Sequence, residues 1–205
     1  MNLKIYFLMI IISLFIGTFV GTVFSNIIYE EKEMTKEDLI KEYYEIENAV
    51  MVSPHSIRKK IGEGDTGFVL VDLRSQQEYE TEHIIGAVNI PAYITPDTSN
   101  YDDVDRIVNS FKTLKEENPE KDIIVYCYSA PCMTGRKIGK MLSENEIFVK
   151  HLGIGWNEWK YYWDLWNHDG ETKVDPTDYV ATGNEPGFLK IEAALETCGL
   201  GDFGC

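Results

Sequence analysis

The chain has 205 residues, 44% of them hydrophobic, enough for one core of ordinary size with appendages. Its formal net charge of −15 serves solubility and argues against nucleic acid or an anionic lipid surface as a partner. The four cysteines fall in two groups, Cys127 with Cys132 and Cys198 with Cys205, while His55, His83, His151 and His168 are scattered. That pattern argues against a structural zinc site.

The stretch from Ile5 to Ile28 carries no charge and is dominated by Ile, Phe, Leu and Val. About 20 apolar residues cross a bilayer's hydrocarbon, so residues 1–28 are expected to form a single-pass membrane anchor. Lys4 precedes the stretch and Glu30-Glu31-Lys32-Glu33 follows it. The positive-inside tendency then keeps the N-terminus cytoplasmic and puts the rest of the chain outside the cell membrane. A cleaved signal peptide is the alternative, but Phe24-Ser25-Asn26 is a poor substitute for an A-x-A-like site. Gly17 and Gly21 form a G-x-x-x-G pair, which suits helix pairing but also the ordinary frequency of glycine in membrane helices.

Residues 29–52 read as an acidic helical spacer leading into a first strand. Thr35-Lys36-Glu37-Asp38 opens the helix, Leu39 to Asn48 continues it, and Ala49 to Val52 is the strand. Ser53-Pro54 then supplies an N-cap and first helical position for a short helix through Ile61, and Gly62, Gly64 and Gly67 break the chain. Phe68 to Val71 is an apolar run suited to a strand covered on both faces. Ser75-Gln76-Gln77-Glu78 is a capping box, Ala87 to Ile90 a third strand stopped by Pro91, and Asp102 to Glu117 an amphipathic helix.

Ile123 to Tyr126 delivers Cys127 to a loop, after which Arg136 to Glu144 is helical. Ile147 to Val149 reads as the last strand and Trp156 to Asn167 as a final helix. Strands alternating with helices imply an α/β domain over residues 53–168, a parallel sheet flanked by helices. Loops beyond the carboxyl ends of such strands carry function, and Cys127 falls there. Trp156, Trp159, Trp163 and Trp166 share one helical stripe and are expected in the core; Tyr161 and Tyr162 lie off it, free to cover the tail. In the tail, residues 169–205, Cys198 and Cys205 could close a small disulfide loop, which an extracytoplasmic location permits.

A thiol held where a buried strand meets a helix N-terminus has its anion stabilised by unpaired N–H groups and the helix dipole. Arg136 adds a fixed positive charge, the only arginine after Arg106. These conditions are expected to lower the pKa of Cys127 and make it a nucleophile. Cys132, five positions on, has three readings: a resolving cysteine for Cys127, a second carrier, or a space-filling residue.

Val71-Asp72-Leu73-Arg74 with Glu78-Tyr79, then His83-Ile84-Ile85-Gly86-Ala87-Val88-Asn89-Ile90-Pro91, resembles the first signature of the rhodanese (sulfurtransferase) family. Ile124-Val125-Tyr126-Cys127 is similar to the strand that delivers that family's active-site cysteine, and Leu152-Gly153-Ile154-Gly155 with Trp159 resembles its closing turn. The resemblance implies a sulfurtransferase without a cofactor, in which Cys127 takes sulfur from thiosulfate or a persulfide and yields it to a thiol. Ser129, Thr134, Gly135 and Arg136 would then bind the anionic sulfur. It also implies that Asp72, Arg74 and His83 are structural, the arginine being tied to an acid such as Glu78. The loop departs from the family's pattern: nine positions rather than five separate Cys127 from Arg136, and Thr134 falls at the usual arginine position.

Three other functions compete. A thiol-redox protein would cycle Cys127 and Cys132 between dithiol and disulfide. A phosphatase or arsenate reductase would use a larger loop of this kind for a tetrahedral anion, with Asp97, Asp102 or Asp103 as acid. A binding module would do no chemistry.

Overall fold

The computed structural model describes residues 3–28, 34–167 and 174–189. The chain forms two compact units divided between Tyr44 and Glu45. Helix α1 (Leu3–Ile28) belongs to the first. Its segment Leu3–Gly21 has a mean hydropathy of 2.3 with nothing buried, and among the described residues it is the one helix long and apolar enough to cross a membrane.

Helix α2 (Lys36–Val50) starts where the sequence predicts: the Thr35 hydroxyl accepts from the Asp38 N–H, and the Asp38 carboxylate accepts from the Thr35 N–H. It runs two residues further than expected, so the first strand, β1, is only Met51–Val52. Pro54, whose missing N–H costs nothing in a first turn, opens α3 (Pro54–Glu63), and Gly64 closes it at φ 68°, which favours glycine. There follow β2 (Phe68–Asp72), α4 (Gln76–Thr81), β3 (His83–Ile84), β4 (Ala87–Asn89), β5 (Tyr93–Thr95), β6 (Thr98–Ser99), α5 (Val104–Glu117) and β7 (Asp122–Tyr126). The described residues end with α6 (Thr134–Ser143), β8 (Lys150–Leu152), α7 (Trp156–Tyr161), short 3₁₀ turns and β9 (Val180–Ala181).

Five strands form one parallel sheet in the order β1-β8-β7-β2-β4, as an α/β sequence requires. Side chains alternate across a sheet, so β2 sends Leu70 to one face and Val71 to the other, and β7 does the same with Ile124 and Val125. One face packs on Ile57 and the tryptophans; the other packs on Phe111 of α5 and Ile138 of α6. All four tryptophans are buried, with the rings of Trp159 and Trp166 stacked 5.2 Å apart.

Several boundaries differ from the sequence reading. The last parallel strand lies at Lys150–Leu152, not Ile147–Val149, and Phe148 is 76% exposed. The tryptophan segment breaks into α7 and a 3₁₀ turn at Trp163–Leu165, because the rings close on one another rather than along a stripe. Tyr161 and Tyr162 are exposed. Residues beyond the expected domain end at 168 also pack on the domain. In the segment 174–189, Val180 and Ala181 pair antiparallel with β3, and the Tyr179 carbonyl accepts from the Trp159 indole N–H. Cys198 and Cys205 lie outside the described residues.

The motif around Asp72 is structural. Arg74 makes a buried ion pair with Asp72 at 2.6 Å, not with Glu78, and its guanidinium lies 4.3 Å from the Trp156 ring centroid. Glu78 instead accepts from the Ser75 hydroxyl at 2.5 Å and from the Tyr128 hydroxyl at 2.7 Å. His83 is fully buried and stacks on Tyr79.

Candidate active site

The site begins at the carboxyl end of β7. Cys127, 1% exposed, follows Tyr126 directly. Its carbonyl accepts from the Trp156 N–H and that of Tyr128 from the Asn157 N–H, both at 2.8 Å, so the start of α7 fixes the loop's entry. Gly155 makes this approach feasible: a Cβ there would stand 2.2 Å from the Ser129 nitrogen. The Glu158 carboxylate accepts from the Ala130 and Gly155 N–H groups, and the Ser129 carbonyl accepts from the Cys132 N–H.

The loop thus folds back so that Cys132 Sγ meets Cys127 Sγ at 3.1 Å, both cysteines being free. A disulfide would need about 2.05 Å, so this is a contact between unbonded sulfurs. Thr134 Oγ1 lies 3.3 Å from Cys132 Sγ. It also lies 2.8 Å from the Tyr93 hydroxyl and 2.7 Å from that of Tyr101. A continuous polar chain therefore runs from the two tyrosines through Thr134 to the two sulfurs.

Either thiol can donate across the contact, and burial decides which does. The hydrogen bond with Cys132, and then burial, push the Cys127 thiol far up. The hydrogen bond from Cys127 pulls Cys132 down to about 5; burial opposes this, and the Thr134 hydroxyl and N–H assist it. The lowered pKa thus falls on the less buried sulfur, Cys132. This reverses the expectation that Cys127 has the lowered pKa, because the second sulfur sits against the first and is the less buried of the two.

The other expected residues are placed as follows. Ser129 acts through its backbone and Thr134 through its hydroxyl. Gly135 lies under the His151 imidazole. Arg136 is exposed, and its Nη1 donates to the carbonyls of Ala130 (3.3 Å) and Cys132 (3.2 Å). It therefore braces the loop's backbone through these two carbonyls. Asp103 pairs with Arg106, and Asp97 and Asp102 are exposed. Sequence reasoning missed Tyr93, Tyr101, Glu158 and His151, which reach the site from four separate segments and share no motif.

A family model described as the rhodanese-like domain matches residues 53–161. An HTH-type transcriptional regulator of Mycobacterium tuberculosis is 30% identical over 103 residues, half of this chain; the chain spans 37% of the length of that relative. A Bacillus halodurans protein of known crystal structure is similar at 24% identity over 62% of this chain and 82% of its own, with a TM-score of 0.47. The rhodanese-like domain of an Anabaena protein, solved in solution, is 19% identical over 52% of this chain and 67% of its own, with a TM-score of 0.37.

Proposed function

Since this chain belongs to the rhodanese-like domain family, we propose that it is a sulfurtransferase in which Cys127 carries the sulfur and the Cys132 thiolate takes the proton. The observation that supports this reading is the 3.1 Å contact between the two sulfurs. Cys127 Sγ attacks the outer sulfur of thiosulfate or a persulfide while its proton passes to Cys132. A bond forms between Cys127 Sγ and that sulfur, the donor's S–S bond breaks, and sulfite or a thiolate leaves. An acceptor thiolate then takes the outer sulfur as its own persulfide, and the departing Cys127 sulfur regains the proton from Cys132.

The same contact favours a second reading. The Cys132 thiolate attacks a partner's disulfide, and Cys127 displaces the mixed disulfide, leaving an intramolecular disulfide and a reduced partner. Mass spectrometry after thiosulfate treatment separates the two. Sulfur transfer adds about 32 Da, one sulfur atom, to Cys127. Treated with a disulfide such as oxidised glutathione instead, a chain that runs the disulfide cycle loses only two hydrogens from the pair, and an unchanged mass under both treatments would leave a binding module without chemistry. Cys127→Ser abolishes transfer, whereas Cys132→Ser retains part of it, since solvent can replace the base but not the nucleophile. The apolar α1 helix and the charges flanking it support a location outside the cell membrane, where a small sulfur donor and a thiol acceptor would reach the domain.

A further inference from the structure

A cavity of about 560 Å³ lies on the α6 face of the sheet, lined by β7, β8 and the junction of α2 with β1. Its floor is apolar, formed by Ile123, Val125, Val149 and Met51. Its rim is cationic: Lys115, Lys121, Arg136, Lys140 and Lys150 line it, and Asp122 is the one acidic side chain among its lining residues. This is contrary to the chain's net charge of −15.

Two cations of the rim have carboxylate partners. Lys150 pairs with Asp122 at 2.7 Å and Lys140 with Glu144. Lys115 and Arg136 donate to backbone carbonyls, of Lys121 and of Ala130 and Cys132 respectively. Neither guanidinium nor ammonium has an ion-pair partner among the described residues.

His151 supplies the independent observation. It lines the cavity from β8 and is 5% exposed, yet neither ring nitrogen has a hydrogen-bond partner of good geometry among the described residues, its one backbone contact being a poorly aligned one with Leu152. A buried imidazole left without a partner is costly, and a ligand that hydrogen-bonds it recovers that cost. Burial, and then the charge of Arg136, lower its pKa.

We propose that this cavity binds a small organic acid, with an apolar body of one or two rings over the valine and isoleucine floor and its anionic head between Arg136 and His151. A cavity of this size with an apolar lining and a few convergent polar groups is the usual form of a small-molecule site. The assignment is independent of the sulfur chemistry at Cys127.

The probe is 2-naphthoate, with 2-naphthamide as the neutral isostere, titrated into the full chain in nanodiscs of neutral lipid. Binding is followed calorimetrically and by the ¹⁵N shifts of His151. Naphthoate is expected to bind at least about tenfold more tightly than the amide and to move the His151 ring resonances. Arg136→Gln removes that preference. Gly139→Leu fills the cavity, since a Cβ at 139 meets only Val149 Cγ2, at 3.8 Å, and it abolishes binding while the alkylation rate of Cys132 reports an intact fold. Equal affinity for acid and amide, unmoved His151 resonances, or full binding by a folded Gly139→Leu variant would each overturn the proposal.

Discussion

The Nε2–Cδ2 edge of the His151 imidazole packs against Gly135. A Cβ at position 135 would stand 2.2 Å from Nε2 and 2.3 Å from Cδ2, far inside van der Waals contact. His151 is on β8 and Gly135 in the first turn of α6, so this pair sets how closely the helix after the cysteine loop approaches the sheet. Gly135→Ala should therefore destabilise the domain by about 1–3 kcal/mol, the usual cost of forcing a methyl group into a packed site. Adding His151→Ala should recover part of the loss, a coupling that chemical denaturation of the four members of the cycle measures. Additive losses would show that the ring does not hold the helix.

The glycine was legible in the sequence, but its reason was not. Gly135 stands in a loop that resembles an anion cradle, and the residue that requires it lies sixteen positions away on another strand. The same holds for the second sulfur. Cys132 was visible as a neighbour of Cys127, but the loop closure that brings them to 3.1 Å depends on Gly155, in the turn after β8, and on Glu158, in the first turn of α7. The parallel sheet and the strand-end cysteine were legible because apolar runs and caps are local signals. The β5–β6 hairpin and the β3–β9 pairing were not, since they are short pairings with no periodicity to detect.

The shared proton makes a pH prediction. The folded pKa of Cys132 is about 5, well below that of an ordinary thiol, so the thiolate is present above that pH and lost as the pH falls through it. Iodoacetamide at pH 6–7, about one to two units above that value, should label Cys132 in preference to Cys127. Sulfur transfer should rise with the same midpoint. Cys127→Ala removes the hydrogen bond that contributes most to the lowering, so the alkylation midpoint of Cys132 should move upward. An unmoved midpoint would assign the lowering to Thr134.

The Asp72–Arg74 pair is buried on both sides, at 0% and 2% exposure, and Asp72 also accepts from the Tyr126 hydroxyl at 2.6 Å. Asp72→Asn leaves a buried guanidinium without its counter-charge and should cost about 3–5 kcal/mol in urea denaturation. Arg74→Met combined with Asp72→Asn should lose less than Asp72→Asn alone, because no unpaired charge remains. A loss below about 1 kcal/mol for the single change would mean that water reaches Arg74.

The apolar helix α1 makes the remaining prediction, which concerns where the thiol pair works. Lys4 lies at one end of the uncharged stretch and the run Glu30 to Glu33 follows its other end, the arrangement that leaves the following domain outside the cytoplasm. Protease added to intact cells or spheroplasts should digest the domain, and carbonate washing should leave the full chain with the membranes. A domain protected in intact spheroplasts would reverse the orientation. It would place Cys127 and Cys132 in a reducing compartment and remove the setting in which Cys198 and Cys205 are expected to pair. Recovery of a shortened soluble form would show that the stretch is a cleaved leader, since an anchor of this length has no route out of the bilayer without proteolysis.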